Sequence, residues 1–171
     1  MRGGAFEDTP ATRCAYYRRV GGLAAGVDPG TGSISVRAGS VWGLGMPAHL
    51  GQRVRDELGR HRCASGPIVG YPRSRTWTFL VRPDLPDSAE LFARLYGAGV
   101  AVYRTGSVIA LPSPADRPPT VRYWVERPLD TFRPSGTAVV AAIGRCVSAR
   151  GIGSALLTMA GGAANPNRGM R

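Results

Sequence analysis

At 171 residues the chain has the length of one domain, enough to shield roughly two-thirds of its unfolded surface in a core. A hydrophobic content of 43% and a mean hydropathy of −0.09 read as globular, and no apolar run reaches the ~18–20 residues of a membrane span. All 22 basic residues are arginine, against 11 acids, so the formal charge is +11 and the pI near 10.9; such a field draws in polyanions at long range.

Met1-Arg2-Gly3-Gly4 runs into Glu7-Asp8 without the apolar centre of a secretory signal, so the expected setting is cytoplasmic, with no membrane partner. Residues 1–9 read as a flexible tail. Pro10 opens a short helix with Cys14, Tyr17 and Val20 on its apolar face and Arg13, Arg18 and Arg19 outside. Leu23–Val27 and Ser33–Arg37 flank Asp28-Pro29-Gly30-Thr31-Gly32 as a hairpin. Val41–Met46 is a glycine-rich strand, bulged or closely approached by another backbone. Pro47 starts a helix whose narrow stripe is Leu50, Val54 and Leu58.

A strand begins at Ile68–Val69, turns through Pro72-Arg73-Ser74-Arg75 and continues as Thr76–Val81. Asp87 and Glu90 have the spacing of an N-cap and its N3 partner for a helix carrying Leu91, Phe92 and Leu95, which Gly97 and Gly99 end. Strands follow at Val100–Tyr103 and Ser107–Leu111, and Pro112–Pro119 is a proline-rich loop. In the strand Thr120–Glu126, Val121, Tyr123 and Val125 look more core-like and Arg122, Trp124 and Glu126 take the other side, so two readings stand: Trp124 exposed for stacking, or Trp77 and Trp124 in the core with the arginines as solvated charge over a sheet edge. Ser135 caps a last helix to about Cys146, built on Val139, Val140 and Ile143; residues 149–171 read as a flexible, basic Gly/Ala-rich tail, with a short helix at Ile152–Met159 as the alternative. The total is a single α+β domain over residues 10–148, with about seven short strands in a mixed or antiparallel sheet and three or four helices.

Within this pattern, G-P-I-V-G-Y-P-R-S-R-T-W-T-F-L-V-R-P from Gly66 and G-S-V-I-A-L-P-S-P-A-D-R-P-P-T-V-R-Y-W-V-E-R-P ending at Pro128 form two strand pairs. Their layout resembles the second half of the bifunctional DNA primase/polymerase (prim-pol) domains of high-GC Gram-positive bacteria. The resemblance is loose over residues 20–146 and best over 66–128. It implies a prim-pol-like fold and a site where an Asp-x-Asp/Glu pair, a Ser-x-His element and a later acid hold two metal ions. Paired metals about 3.5–4 Å apart clamp the attacking and leaving oxygens of phosphoryl transfer, and carboxylates two apart on a strand share a face.

This chain departs from that pattern. The corresponding strand, Val41-Trp42-Gly43-Leu44-Gly45-Met46, has no carboxylate, and Arg73-Ser74-Arg75-Thr76-Trp77 has no histidine. Asp84, Asp87, Glu90, Asp116 and Glu126 include no pair at strand spacing. His49 and His61, twelve apart on one helix, stand about 18 Å apart. Cys14, Cys63 and Cys146 lack a C-x-x-C pair, so neither a disulfide framework nor structural zinc is expected. Gly43-Leu44-Gly45 matches no nucleotide-loop fingerprint, Ser113 has no nucleophile elbow, and the neighbours His61 and Cys63 have no orienting acid.

The expectation is therefore a scaffold without catalytic residues, metal or cofactor, associated with nucleic acid, single-stranded DNA or RNA, or with a nucleotide. The expected binding residues are Arg73, Arg75, Trp77, Arg122, Trp124 and Arg127, in which guanidiniums grip phosphates and an aromatic face stacks a base. The competing class is a protein-interaction or regulatory module that meets an acidic partner through its arginines and docks through Pro112–Pro119. An active primase or polymerase is the third reading.

Overall fold

The structure, a computed structural model, describes residues 8–160, with side chains through Ser148; the remainder of the two expected tails lies outside the described residues. Helix α1 (Pro10–Arg19) starts as the sequence indicates, with Pro10 in its first turn. Thr9 and Thr12 close a reciprocal cap: Thr12 N–H donates to Thr9 Oγ1 (3.2 Å) and Thr9 N–H to Thr12 Oγ1 (3.0 Å). Asp28 fixes the turn between β1 (Ala25–Val27) and β2 (Ile34–Arg37) by accepting from Gly30 N–H and Thr31 N–H.

The chain then passes through β3 (Trp42–Pro47), α2 (Ala48–Arg60), β4 (Ile68–Tyr71), β5 (Thr76–Val81), α3 (Ala89–Gly97), β6 (Ala101–Tyr103), β7 (Val108–Leu111), β8 (Tyr123–Glu126) and α4 (Gly136–Ala160). Every strand pairing is antiparallel. β1-β2-β7 form a three-stranded sheet and β6-β3-β5-β4-β8 a five-stranded one. Among the described residues the fold is thus α+β, four helices and eight strands in one compact domain.

The five-stranded sheet separates two apolar layers. On one face Leu44, Met46, Ile68, Phe79 and Val81 meet Leu50, Val54 and Leu58 of α2, Leu95 of α3, and Val139 and Ile143 of α4. On the other, Val69 and Leu80 meet Ile34, Val36, Ile109 and Leu111 of the smaller sheet and Cys14 and Tyr17 of α1. Burial on both faces explains the unbroken apolar run Phe79-Leu80-Val81 at the end of β5. None of the described helices is long and apolar enough to cross a membrane.

Three local expectations change. β3 pairs with β5 without a bulge from Trp42 to Pro47, and side chains rather than backbone crowd its glycines. A Cβ at Gly45 would lie 2.8 Å from the Tyr103 ring, and one at Gly43 would lie 2.9 Å from Thr78 and 3.1 Å from Tyr103. Ser88, not Asp87, caps α3: its hydroxyl accepts from Leu91 N–H at 3.2 Å, while Asp87 turns to Arg104 at 2.9 Å. The turn in which Ser88 N–H bonds Pro86 O leaves Ser88 extended, so the helix begins one residue later than the acidic spacing implies. Finally, α4 continues beyond Cys146, because no proline interrupts the stretch to Ala160 and its Ala, Leu and Met residues sustain a helix. Its start is doubly capped, by Ser135 Oγ on Ala138 N–H and by Asp84 Oδ1 on Gly136 N–H (2.7 Å).

Candidate nucleic-acid interface

Register decides which aromatics share a face. Gly70 of β4 lies opposite Trp77 of β5 and opposite Tyr123 of β8, so these three positions form one row across the sheet. Val69 lies opposite Thr78 and Trp124, which form the next row, on the other face. Trp77 and Trp124 therefore point to opposite sides of the sheet.

Trp124 is not the exposed residue of β8. Its Nε1–H donates to Tyr17 Oη at 2.8 Å, and the two rings meet edge-on at 5.4 Å. Tyr17 Oη in turn donates to Pro112 O at 2.8 Å, and burial pushes its phenol pKa up. Tyr123 is instead 44% exposed and Val121 39%. The core alternative holds for Trp124, and alternation could not decide it, because it gives two faces but not which is covered. Here the smaller sheet and α1 cover the Trp124 face, while the other face is open at β8, an edge strand.

On the helix side, Trp77 is half-buried and rests on Gly51 of α2, where a Cβ would lie 2.8 Å from its ring. The Arg55 guanidinium stands 5.9 Å from the Trp77 ring centre and reaches Glu126 at 3.3 Å. The Tyr123 ring lies against Gly70, where a Cβ would come within 2.4 Å of it. Two strand spacings separate the Trp77 and Tyr123 positions by about 10 Å. Arg73 and Arg75 occupy the exposed turn at the end of this strand pair; Arg75 N–H donates to Pro72 O (3.2 Å), but neither guanidinium makes an ion pair or hydrogen bond with another described residue. Arg75 has a φ of 52°, so the turn is not extended and the 73–75–77 row expected from the sequence is broken there.

Arg122 is spent on the proline-rich loop. Its guanidinium donates to Asp116 Oδ1 at 2.7 Å, with 16% of the Arg122 side chain and 5% of the Asp116 side chain exposed. Asp116 Oδ2 also accepts from the N–H groups of Ser113 and Arg122. Arg127 is exposed and, like Arg73, without a partner among the described residues. It borders a second concavity, with Trp124 and α1. Sequence reasoning missed Tyr123, Arg55 and Gly70. Tyr123 was one position from the residue chosen, whereas nothing in the α2 pattern marked Arg55.

The carboxylates are mostly engaged. Asp84 caps α4, Asp87 pairs with Arg104, Asp116 with Arg122 and Glu126 with Arg55. Glu57 accepts from Arg145, Arg60 and His61, and these bonds, Arg145 first, hold its carboxyl pKa down to about 2. Excess positive charge thus resides on arginines with no such neighbour, among them Arg73, Arg75 and Arg127. Among the described residues no three His, Cys, Asp or Glu side chains gather as a metal-ion site. No family model, curated protein or solved structure matches the chain.

Proposed function

We propose that the chain is a non-catalytic module that binds single-stranded nucleic acid, on a scaffold descended from a primase/polymerase-like domain. One observation carries the reading: Trp77 and Tyr123 stand in one row of the five-stranded sheet, Trp77 half-buried under α2 on the central strand and Tyr123 exposed on the edge strand, with the unpaired guanidiniums of Arg73 and Arg75 on the turn that ends the β4–β5 pair. Aromatic faces accept any base, and guanidiniums follow the phosphates without reading sequence. The glycines at 43 and 45, with Tyr103 lying over them, are consistent with loss of the acid pair that the resemblance implies for that strand. Binding on this basis is weak, tolerant of sequence and steeply dependent on salt.

The test is fluorescence anisotropy of labelled single-stranded DNA and RNA across a salt series. Each phosphate contact contributes about 0.7 to the log–log slope, so Arg73→Ala should lower the slope by about that much. Tyr123→Ala should weaken binding by about 1–3 kcal/mol. Gly70→Ala should displace the Tyr123 ring and weaken binding with the fold intact, since an exposed ring can swing away. Absence of binding to both polymers at low salt rejects the proposal. Primer synthesis with Mg²⁺ or Mn²⁺ would establish the polymerase reading instead.

A further inference from the structure

The geometry points to a second binding site, for a nucleoside phosphate, in the groove between α1 and the outer side of β8. The groove is broadly open to solvent, has a volume of about 730 Å³ and is lined by Tyr16, Trp124, Arg13, Arg127, Glu126 and Leu129 among others. That volume lies within the ~300–1,000 Å³ of small-molecule sites, which combine aromatic walls with a few charged groups.

The aromatic wall is held in place. Trp124 cannot rotate without breaking its bond to Tyr17 Oη, which Pro112 O anchors in turn. Tyr16 Oη donates to Pro128 O at 2.9 Å and ties α1 to the segment just after β8. A ring fixed before binding loses little freedom when a base stacks on it. Because both tyrosine hydroxyls and the indole N–H are engaged within the protein, the aromatic wall offers stacking area but few free donors for base edges. Selectivity among bases is therefore low.

The charged groups favour an anion. Arg127 makes no ion pair or hydrogen bond with another described residue, and Arg13 stands on the opposite wall with Asp8 as its carboxylate partner. Glu126 lines the groove, but its carboxylate is engaged by Arg55. The groove thus presents a stacking surface beside one unpaired guanidinium, Arg127, whose N–H groups hydrogen-bond phosphate oxygens. It does not depend on the strand-binding reading, because Tyr123 and Trp124 lie on opposite faces of β8.

Titration of the full chain with AMP and CMP, followed by calorimetry and tryptophan fluorescence, tests the site. Both nucleotides should bind with similar affinity, adenosine at least tenfold more weakly, and Arg127→Ala should weaken AMP by about tenfold or more. Tyr123→Ala should leave AMP binding unchanged while it weakens the oligonucleotide, which separates failure of this site from failure of the other. Arg127 is exposed, so its replacement leaves the fold intact; a matched thermal melt checks this. Equal affinity for adenosine and AMP, an unaltered Kd in Arg127→Ala, or no heat with millimolar AMP each overturns the assignment.

Discussion

Tyr17→Phe removes one oxygen atom that joins three distant parts of the chain. Tyr17 is 1% exposed, and its hydroxyl donates to Pro112 O and accepts from Trp124 Nε1–H, both at 2.8 Å. Loss of the hydroxyl leaves two polar groups to satisfy. Pro112 is buried, so its carbonyl bears a desolvation cost of about 1–3 kcal/mol, and the half-buried Trp124 loses the acceptor of its Nε1–H as well. The expected loss is about 2–3 kcal/mol, or roughly 5–10 °C in Tm at this chain length. Urea unfolding at neutral pH measures it. Trp124→Phe removes the donor from the other side, so the double variant should be less destabilised than the sum of the singles by about 1 kcal/mol. A Tyr17→Phe protein within 0.5 kcal/mol of the parent, or strict additivity in the double variant, refutes the claim that this hydroxyl links α1, β8 and the loop after β7.

Two further outcomes follow from the charged groups. Glu57 has a folded pKa of about 2 against an ordinary 4.5, so its contribution is complete above pH 4.5 and disappears as pH falls from there toward 2. Glu57→Gln should flatten the acid limb of the stability–pH curve over that window, and an unchanged limb counts against the Arg145–Glu57 pairing. Asp116→Ala strands the half-buried Arg122 guanidinium and should cost about 3–5 kcal/mol. Limited proteolysis with trypsin should then cut after Arg122, at the end of the released loop, because Pro118 protects the bond after Arg117; a variant as stable and as resistant as the parent shows that the pair does not fasten it.

Much of the architecture was legible because glycine, proline and apolar spacing punctuate the chain locally. The limits of α1, β2, β5 and α2 follow from Pro10, the Asp28–Gly32 turn, the apolar run through Val81 and the Leu50–Val54–Leu58 stripe. Long-range decisions were not legible in this way. Whether Tyr123 or Trp124 faces solvent depends on β2 pairing with β7 and on where α1 docks, and residues from opposite ends of the domain make those contacts. A left-handed Arg75 is equally invisible to pattern reading, since glycine and asparagine are the residues that announce such a turn.

The same distinction governs the charge. A formal +11 implies an affinity for polyanions but cannot say which guanidiniums are available. Arg122, selected for its place beside an aromatic, is locked to Asp116 and adds rigidity rather than attraction. Arg55, unmarked in the sequence, lies over Trp77 because α2 crosses that face of the sheet. Among the arginines left for a ligand are those on the Pro72–Arg75 turn and Arg127, toward opposite ends of an edge strand whose successive aromatics face opposite ways. Strand β8 is therefore where the two proposed sites meet, and the Tyr123 and Arg127 variants act on one side of it each.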